Sequence, residues 1–244
     1  MTSPVALITG SAKRVGACIA RYLHHRQFRV IIHYHHSQQA AQQLVDELNQ
    51  IRSESATCIS ADLTDLNAIE TLAQQAQKQW SQIDLLVNNA SSFYPTPFEQ
   101  ADAEQWQQLM ASNAQAPYFL SQALLGHLRQ QQGNIINIAD LHGQRPMKQH
   151  SIYCMSKAAL IMMTQSLAQE LAPDIRVNAV APGMMLAPDD PAMATPSQKL
   201  IHNRVPLQRV GQPQDIAETV YFLSQQQYTT GQIMNVDGGR SLTT

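Results

Sequence analysis

Residues 5–16 read VALITGSAKRVG, and the fold turns on those positions. A short run of apolar and β-branched residues ends at Thr9-Gly10, and a helical pattern begins a few residues later. Such a run suits a strand buried on both faces. A glycine at its exit lets the chain turn, and the backbone amides of the following helix N-terminus favour a phosphate. Gly10 and Gly16 alone are a weak signal, since turn glycines are common; the strand–turn–helix setting strengthens it. The spacing is that of TGxxxGxG, with Arg14 where the middle glycine would stand.

The same alternation continues outward. Strand-like runs lie at 5–9, 29–34, 56–61, 83–89, 134–139, 175–180 and 232–236. Helical patterns lie near 15–27, 38–51, 66–80, 102–131, 151–171 and 213–226. Strands joined by helical crossovers predict an α/β fold over residues 1–244. It is a single-domain, Rossmann-like, doubly wound parallel seven-stranded sheet with helices on both faces. The long gap after residue 182 opens PGMMLAPDDPAMATP and predicts a substrate loop at about 184–210.

Composition narrows the function. Hydrophobic residues make up 44% and charged ones 14%, with a net charge of −2. That balance gives no basic face for nucleic acid or a membrane surface. Cys18, Cys58 and Cys154 are scattered and predict reduced thiols. The opening MTSPVALITG lacks a basic n-region, and no apolar run reaches membrane-spanning length, so the expectation is a cytoplasmic protein.

The second strand ends in HYHHS, residues 33–37, and the first carboxylate in the chain is Asp46. An NAD-selective Rossmann domain places an acid near this strand end for the ribose 2′-hydroxyl. Here Lys13, Arg14, His33, His35, His36 and Ser37 are candidates to surround a 2′-phosphate, which predicts NADPH. The rival is a metal held by the histidines, with His33 and His35 on one strand face. No further Cys, Asp or Glu ligand lies close in sequence, and no metal is expected. Asp62 and Leu63 close the third strand, and Asn89, Ala90 and Ser91 close the fourth. They are turn formers or cofactor contacts, and their shared placement at strand ends favours the latter.

Residues 138–157, IADLHGQRPMKQHSIYCMSK, supply the reactive groups. Tyr153 and Lys157 are four apart and share a helix face. An ammonium beside a phenol is expected to lower the phenol pKa from about 10. With the first turn, NNA at 88–90, Pro182-Gly183 and DGG at 237–239, the chain resembles the short-chain dehydrogenase/reductase family from end to end. The resemblance implies cofactor contacts at the first turn, Pro182 and Gly183, and a catalytic Asn113. Most members carry a serine thirteen residues before the tyrosine; this chain has Asp140.

TGSAKRVG, HYHHS and NNASSFYPTP together resemble the pteridine reductases, an NADPH-dependent branch of that family. The resemblance implies an Asp140–Tyr153–Lys157 site, with Phe93 stacked on a pterin. Ser91 would touch pterin and cofactor phosphate, and Arg14 would lie between pyrophosphate and substrate. The implied reaction is hydride transfer to a C=N bond of a pterin or folate. Tyr153, oriented by Asp140 and backed by Lys157, would deliver the proton for the 7,8 bond. The 5,6 bond of a 7,8-dihydropterin places the accepting nitrogen elsewhere and would call on water. A homotetramer is implied too, with Met162, Met163 and Leu167 as candidate interface residues. His36 stands where an arginine is frequent in this branch, and Thr244 lies where some relatives send a basic side chain into a neighbour. The alternatives are a short-chain carbonyl reductase, such as a 3-oxoacyl thioester reductase, and an NADPH-binding sensor without turnover. His142 and His150 read as loop residues.

Overall fold

The computed structural model describes residues 3–185 and 198–243. The elements run β1 (Val5–Ile8), α1 (Arg14–His25), β2 (Arg29–Tyr34), α2 (Gln38–Ile51), β3 (Ala56–Ser60), α3 (Leu66–Trp80) and β4 (Leu85–Asn88). Then come α4 (Ala103–Met110), α5 (Ala116–Ala123), α6 (Leu125–Gln130), β5 (Asn134–Ile138) and α7 (Ser151–Leu171). The chain closes with β6 (Arg176–Pro182), α8 (Gln198–Arg204), α9 (Pro213–Gln225) and β7 (Ile233–Val236).

All strands pair in parallel, in the order β3-β2-β1-β4-β5-β6-β7. The single-domain, doubly wound fold is therefore as expected. The apolar runs are continuous because each strand feeds two cores. Ala6 and Ile8 pack with Ile19, Leu23, Leu44 and Val220 on one face of the sheet. Val5 and Leu7 pack with Ile69, Leu72, Leu120 and Leu167 on the other. Alternating side chains leave no face of β1 to water. The strand order reverses between β1 and β4, which opens a crevice at their carboxyl ends.

Two expectations change. The pattern over 102–131 is not one helix: a π-helical turn at Ala111–Gln115 separates α4 from α5, and α6 follows after Leu124. Pro117, in the first turn of α5, has no N–H for the carbonyl of Asn113 four residues earlier, so regular α pairing cannot run through. Within the expected loop at 184–210, α8 takes up Gln198–Arg204. Residues 186–197 of that loop, and Thr244, lie outside the described residues. No helix among those described is long and apolar enough to cross a membrane.

Candidate active site

The turn after β1 is locked from two sides. Gly10 has φ +60°, and a Cβ there would come 2.9 Å from the Cα of Ala90. A Cβ on Gly16 would fall 2.6 Å from both Asn89 Nδ2 and the Gly10 carbonyl. Asn89 Nδ2 donates to the Thr9 and Gly10 carbonyls, at 2.8 and 3.1 Å. The Thr9 hydroxyl accepts the amides of Asn89 and Ala90, both at 2.9 Å. Thr9 was not singled out from sequence; its only signal was its place between the strand and Gly10. Arg14 adopts φ +55°, a left-handed conformation that suits the glycine it replaces.

His33 takes a different part from the expected phosphate contact. It is buried; Nδ1 accepts the Gly10 amide at 3.0 Å, and Nε2 lies 3.1 Å from the Ala61 carbonyl. A carbonyl only accepts, so the hydrogen sits on Nε2. Burial lowers the His33 pKa to about 4, and the ring is a neutral strut between the turn and the end of β3. His33 and His35 therefore do not act from one open face. His35 instead stacks on His36, with centroids 3.5 Å apart, at the exposed end of β2. Among the described residues no three His, Cys, Asp or Glu side chains gather as a metal site.

Around this corner Lys13 and Arg14 are exposed. The first turn of α1 has no acidic residue, and Lys13 at its N-cap forms no side-chain capping bond. No acidic side chain there competes with an anion for the positive end of the helix. Ser37 precedes α2, also without a side-chain capping bond. Asp62 accepts from the Thr64 amide and hydroxyl, which hold its carboxyl below the ordinary range; His35 lies 3.8 Å away. Leu63 is a core residue of the α3 side. Pro182 ends β6, and the Gly183 amide donates to Val236 at 3.0 Å, close against Asp237.

The reactive groups meet at the carboxyl end of β5. Tyr153 Oη donates to Asp140 Oδ2 at 2.8 Å, and the other carboxylate oxygen accepts the His142 amide at 2.7 Å. Lys157 is buried, and its Nζ donates to the Ile138 carbonyl at 2.9 Å. The expected lowering of the phenol pKa is not what this arrangement gives. Burial, followed by the Asp140 carboxylate, raises the Tyr153 pKa well above its ordinary value. The ammonium bonds to a backbone carbonyl and lies 5.9 Å from the ring centroid. Burial in turn lowers Lys157 to about 8, with Asp140 opposing it. Tyr153 is thus a held proton donor.

Asn113 is fully buried in the π-helical turn. Its Oδ1 accepts the Ser92 amide at 2.8 Å, while Nδ2 donates to the Ser92 carbonyl and Ser156 Oγ, both at 3.0 Å. Ser156 Oγ donates to the Tyr153 carbonyl at 2.8 Å. Asn113 thereby ties the loop after β4 to α7; Ser156 was missed from sequence, although it lies three residues beyond Tyr153. Ser91 is exposed, and Phe93 stands edge-on to Tyr153, with centroids 4.8 Å apart at 79°. Arg145 Nη1 donates to the Thr243 carbonyl and, at 3.4 Å, to that of Arg240. Burial lowers the Arg240 pKa and Asp140 partly offsets this, so the guanidinium lies within electrostatic reach of the site.

A phosphate-type turn, a buried Tyr–Lys helix and a carboxylate, all at the carboxyl ends of the parallel strands, define an oxidoreductase of the nicotinamide-dependent class. Residues 10–241 match the family model described as enoyl-(acyl carrier protein) reductase. Pteridine reductase 1 of Leishmania tarentolae is 37% identical over 284 residues, covering 99% of this chain and 98% of that protein. A 3-oxoacyl-(acyl carrier protein) reductase of Staphylococcus aureus is 31% identical over 238 residues, 96% of each chain. Glucose 1-dehydrogenase 2 of Bacillus subtilis is 29% identical over 251 residues, covering 99% of this chain and 96% of that protein. The chain belongs to the short-chain dehydrogenase/reductase family.

Proposed function

We propose that the protein is an NADPH-dependent pterin reductase, converting a dihydropterin or dihydrofolate to its tetrahydro form and acting on C=N. One observation carries this reading: the Tyr153 hydroxyl is bonded to a carboxylate, Asp140, beside a partly exposed aromatic wall, Phe93. Support for the cofactor comes from the first turn of α1, which carries no acidic residue. Lys13, Arg14, His35, His36 and Ser37 would take the 2′-phosphate, and Asp62, Asn89, Ala90, Pro182 and Gly183 would border the nucleotide. When bound, NADPH supplies the hydride. Tyr153 and Asp140 hold the proton that balances it, passed directly to the ring nitrogen at a 7,8 bond and through water at the 5,6 bond of a 7,8-dihydropterin, so C=N becomes CH–NH. Lys157 fixes the base of the site, and Phe93, Ser91 and Arg14 bound the substrate. The working form is a cytoplasmic homotetramer.

The 3-oxoacyl-(acyl carrier protein) reductase relative favours a second reading, carbonyl reduction with Asp140 in the serine's place. One panel separates the two: NADPH and NADH oxidation with dihydropterins, dihydrofolate and a 3-oxoacyl thioester. Turnover of a dihydropterin with NADPH preferred supports the first reading, and thioester turnover alone establishes the second. Asp140→Ala should lower kcat for the dihydropterin by about 100- to 10,000-fold, the usual worth of general acid catalysis. Asp140→Ser should not restore it, because a serine hydroxyl is a poor acid. A serine variant as fast as the parent would remove the carboxyl group from the mechanism. No oxidation of NADPH with any substrate would favour a sensor.

A further inference from the structure

We infer that His150 is a positioning residue that holds Phe93 flat as one wall of the substrate site, so that the site selects a planar heterocycle. The inference rests on the pterin reading. In sequence His150 looks like a loop residue, but the residue is only 9% exposed. It stacks face to face on Phe93, with centroids 4.8 Å apart and planes 14° from parallel. Its own orientation is fixed from behind: Nδ1 lies 2.9 Å from the Lys148 carbonyl, so Nδ1 carries the hydrogen.

The backbone around it serves the same end. Gln149 adopts φ +63°, a left-handed conformation that a non-glycine residue holds only when its surroundings enforce it. Its carbonyl accepts the Thr96 amide at 2.6 Å. This bond joins the loop bearing Phe93 to the residue just before the N-cap of α7, four residues before Tyr153. Phe93 thus has one face on His150 and stands edge-on to Tyr153, while 42% of the residue stays exposed. The exposed part of its ring is the surface offered to a ligand. A planar ring settling there completes a three-layer stack next to the Tyr153–Asp140 bond. An open-chain ketone gains nothing from a flat wall.

The test uses His150→Ala, His150→Phe and His150→Leu in the full chain. Each is assayed for dihydropterin and 3-oxoacyl thioester turnover, and for binding of 2,4-diaminopteridine with NADP⁺ present. His150→Ala should raise KM for the dihydropterin, and Kd for the diaminopteridine, by up to about tenfold, the range of an aromatic stacking contact. Its kcat should stay within about twofold, because the proton-holding residues are untouched. His150→Phe should restore both constants, and His150→Leu, which fills space without a flat face, should not. Any KM for the thioester should not move. If His150→Leu rescues as well as His150→Phe, or His150→Ala leaves the diaminopteridine Kd unchanged, the inference is overturned. If His150→Ala does not fold, the Phe and Leu variants still decide it. If the parent reduces no dihydropterin yet the diaminopteridine Kd follows the same order, the positioning role stands and the proposed reaction falls.

Discussion

At the scale of single residues, the site is arranged at the expense of stability. Lys157 is 2% exposed, and burial moves its pKa from 10.5 to about 8. A lysine whose folded value lies below its unfolded one is destabilising wherever both states are charged. That cost is full below about pH 8 and is relieved as pH rises towards 10.5, since the folded state loses its proton first. The interval corresponds to roughly 3 kcal/mol. Lys157→Met should therefore be more stable than the parent at pH 7 by a few kcal/mol, with the gap narrowing by pH 10, and should lose turnover. Denaturant unfolding at the two pH values measures this. A less stable variant at pH 7 would mean that the bond to the Ile138 carbonyl outweighs the desolvation. Arg14 is a second such residue, held in a left-handed conformation at a cost of about 1–3 kcal/mol, where the proposed nucleotide would gain a cation. The Asp140–Tyr153–Lys157 spacing was readable in the sequence. The direction of the Tyr153 shift was not, because it depends on burial among Leu109, Ile152 and Tyr94, which only packing reveals.

At the scale of elements, sequence reading did best where one local cause decides the outcome. The strands were visible because both sheet faces are covered, and α1 because its apolar spacing begins at a turn glycine. It did worst where causes compete. The apolar pattern over 102–131 favours helix throughout, but Pro117 interrupts the pairing and leaves Asn113 in a wider turn. Position on β2 could not show that both His33 nitrogens are used inside the protein, since their partners, Gly10 and Ala61, belong to other elements. The wider turn aims Asn113 at two elements at once. Asn113→Ala would strip partners from the Ser92 amide and carbonyl and from Ser156 Oγ. Buried polar groups left unpaired cost about 1–3 kcal/mol each, and relaxation recovers part of that, so a loss of about 2–4 kcal/mol is expected. Hydrogen exchange at the Ser92 amide should speed up, while the strand amides of β1 and β2 stay protected. Unchanged exchange at Ser92 would show that the loop after β4 is held by something other than Asn113.

At the scale of the whole molecule, the outer surface bears on the proposed homotetramer. Of the residues singled out from sequence, Leu167 is core and Met163 packs partly against the same cluster, so neither is spare. Met162 is different, with 61% of its surface exposed. Tyr118 and Phe119 on α5, Trp106 on α4 and Met155 on α7 are exposed as well. Tyr118 also lines a small cleft with Leu125 and Leu167 between α5 and α7. Elsewhere Phe222 on α9, Tyr228 and Leu242 are exposed near the carboxyl-terminal end. Scattered exposed apolar residues are ordinary; several on α4, α5 and α7 together suggest a covered face. Two such faces, each paired about its own two-fold axis, close into a tetramer of D2 symmetry. Light scattering at micromolar concentration should then give four times the chain mass of 27.1 kDa. Tyr118→Glu with Met162→Glu should reduce the assembly to dimers held by the α9 face. Phe222→Glu with Tyr228→Glu should leave dimers of the other kind, and all four together should give monomers. Neither pair touches the catalytic groups, so folding can be verified by circular dichroism and by nucleotide binding. A parent that is monomeric at micromolar concentration would end the proposal, and a parent dimer broken by only one pair would leave a single true interface.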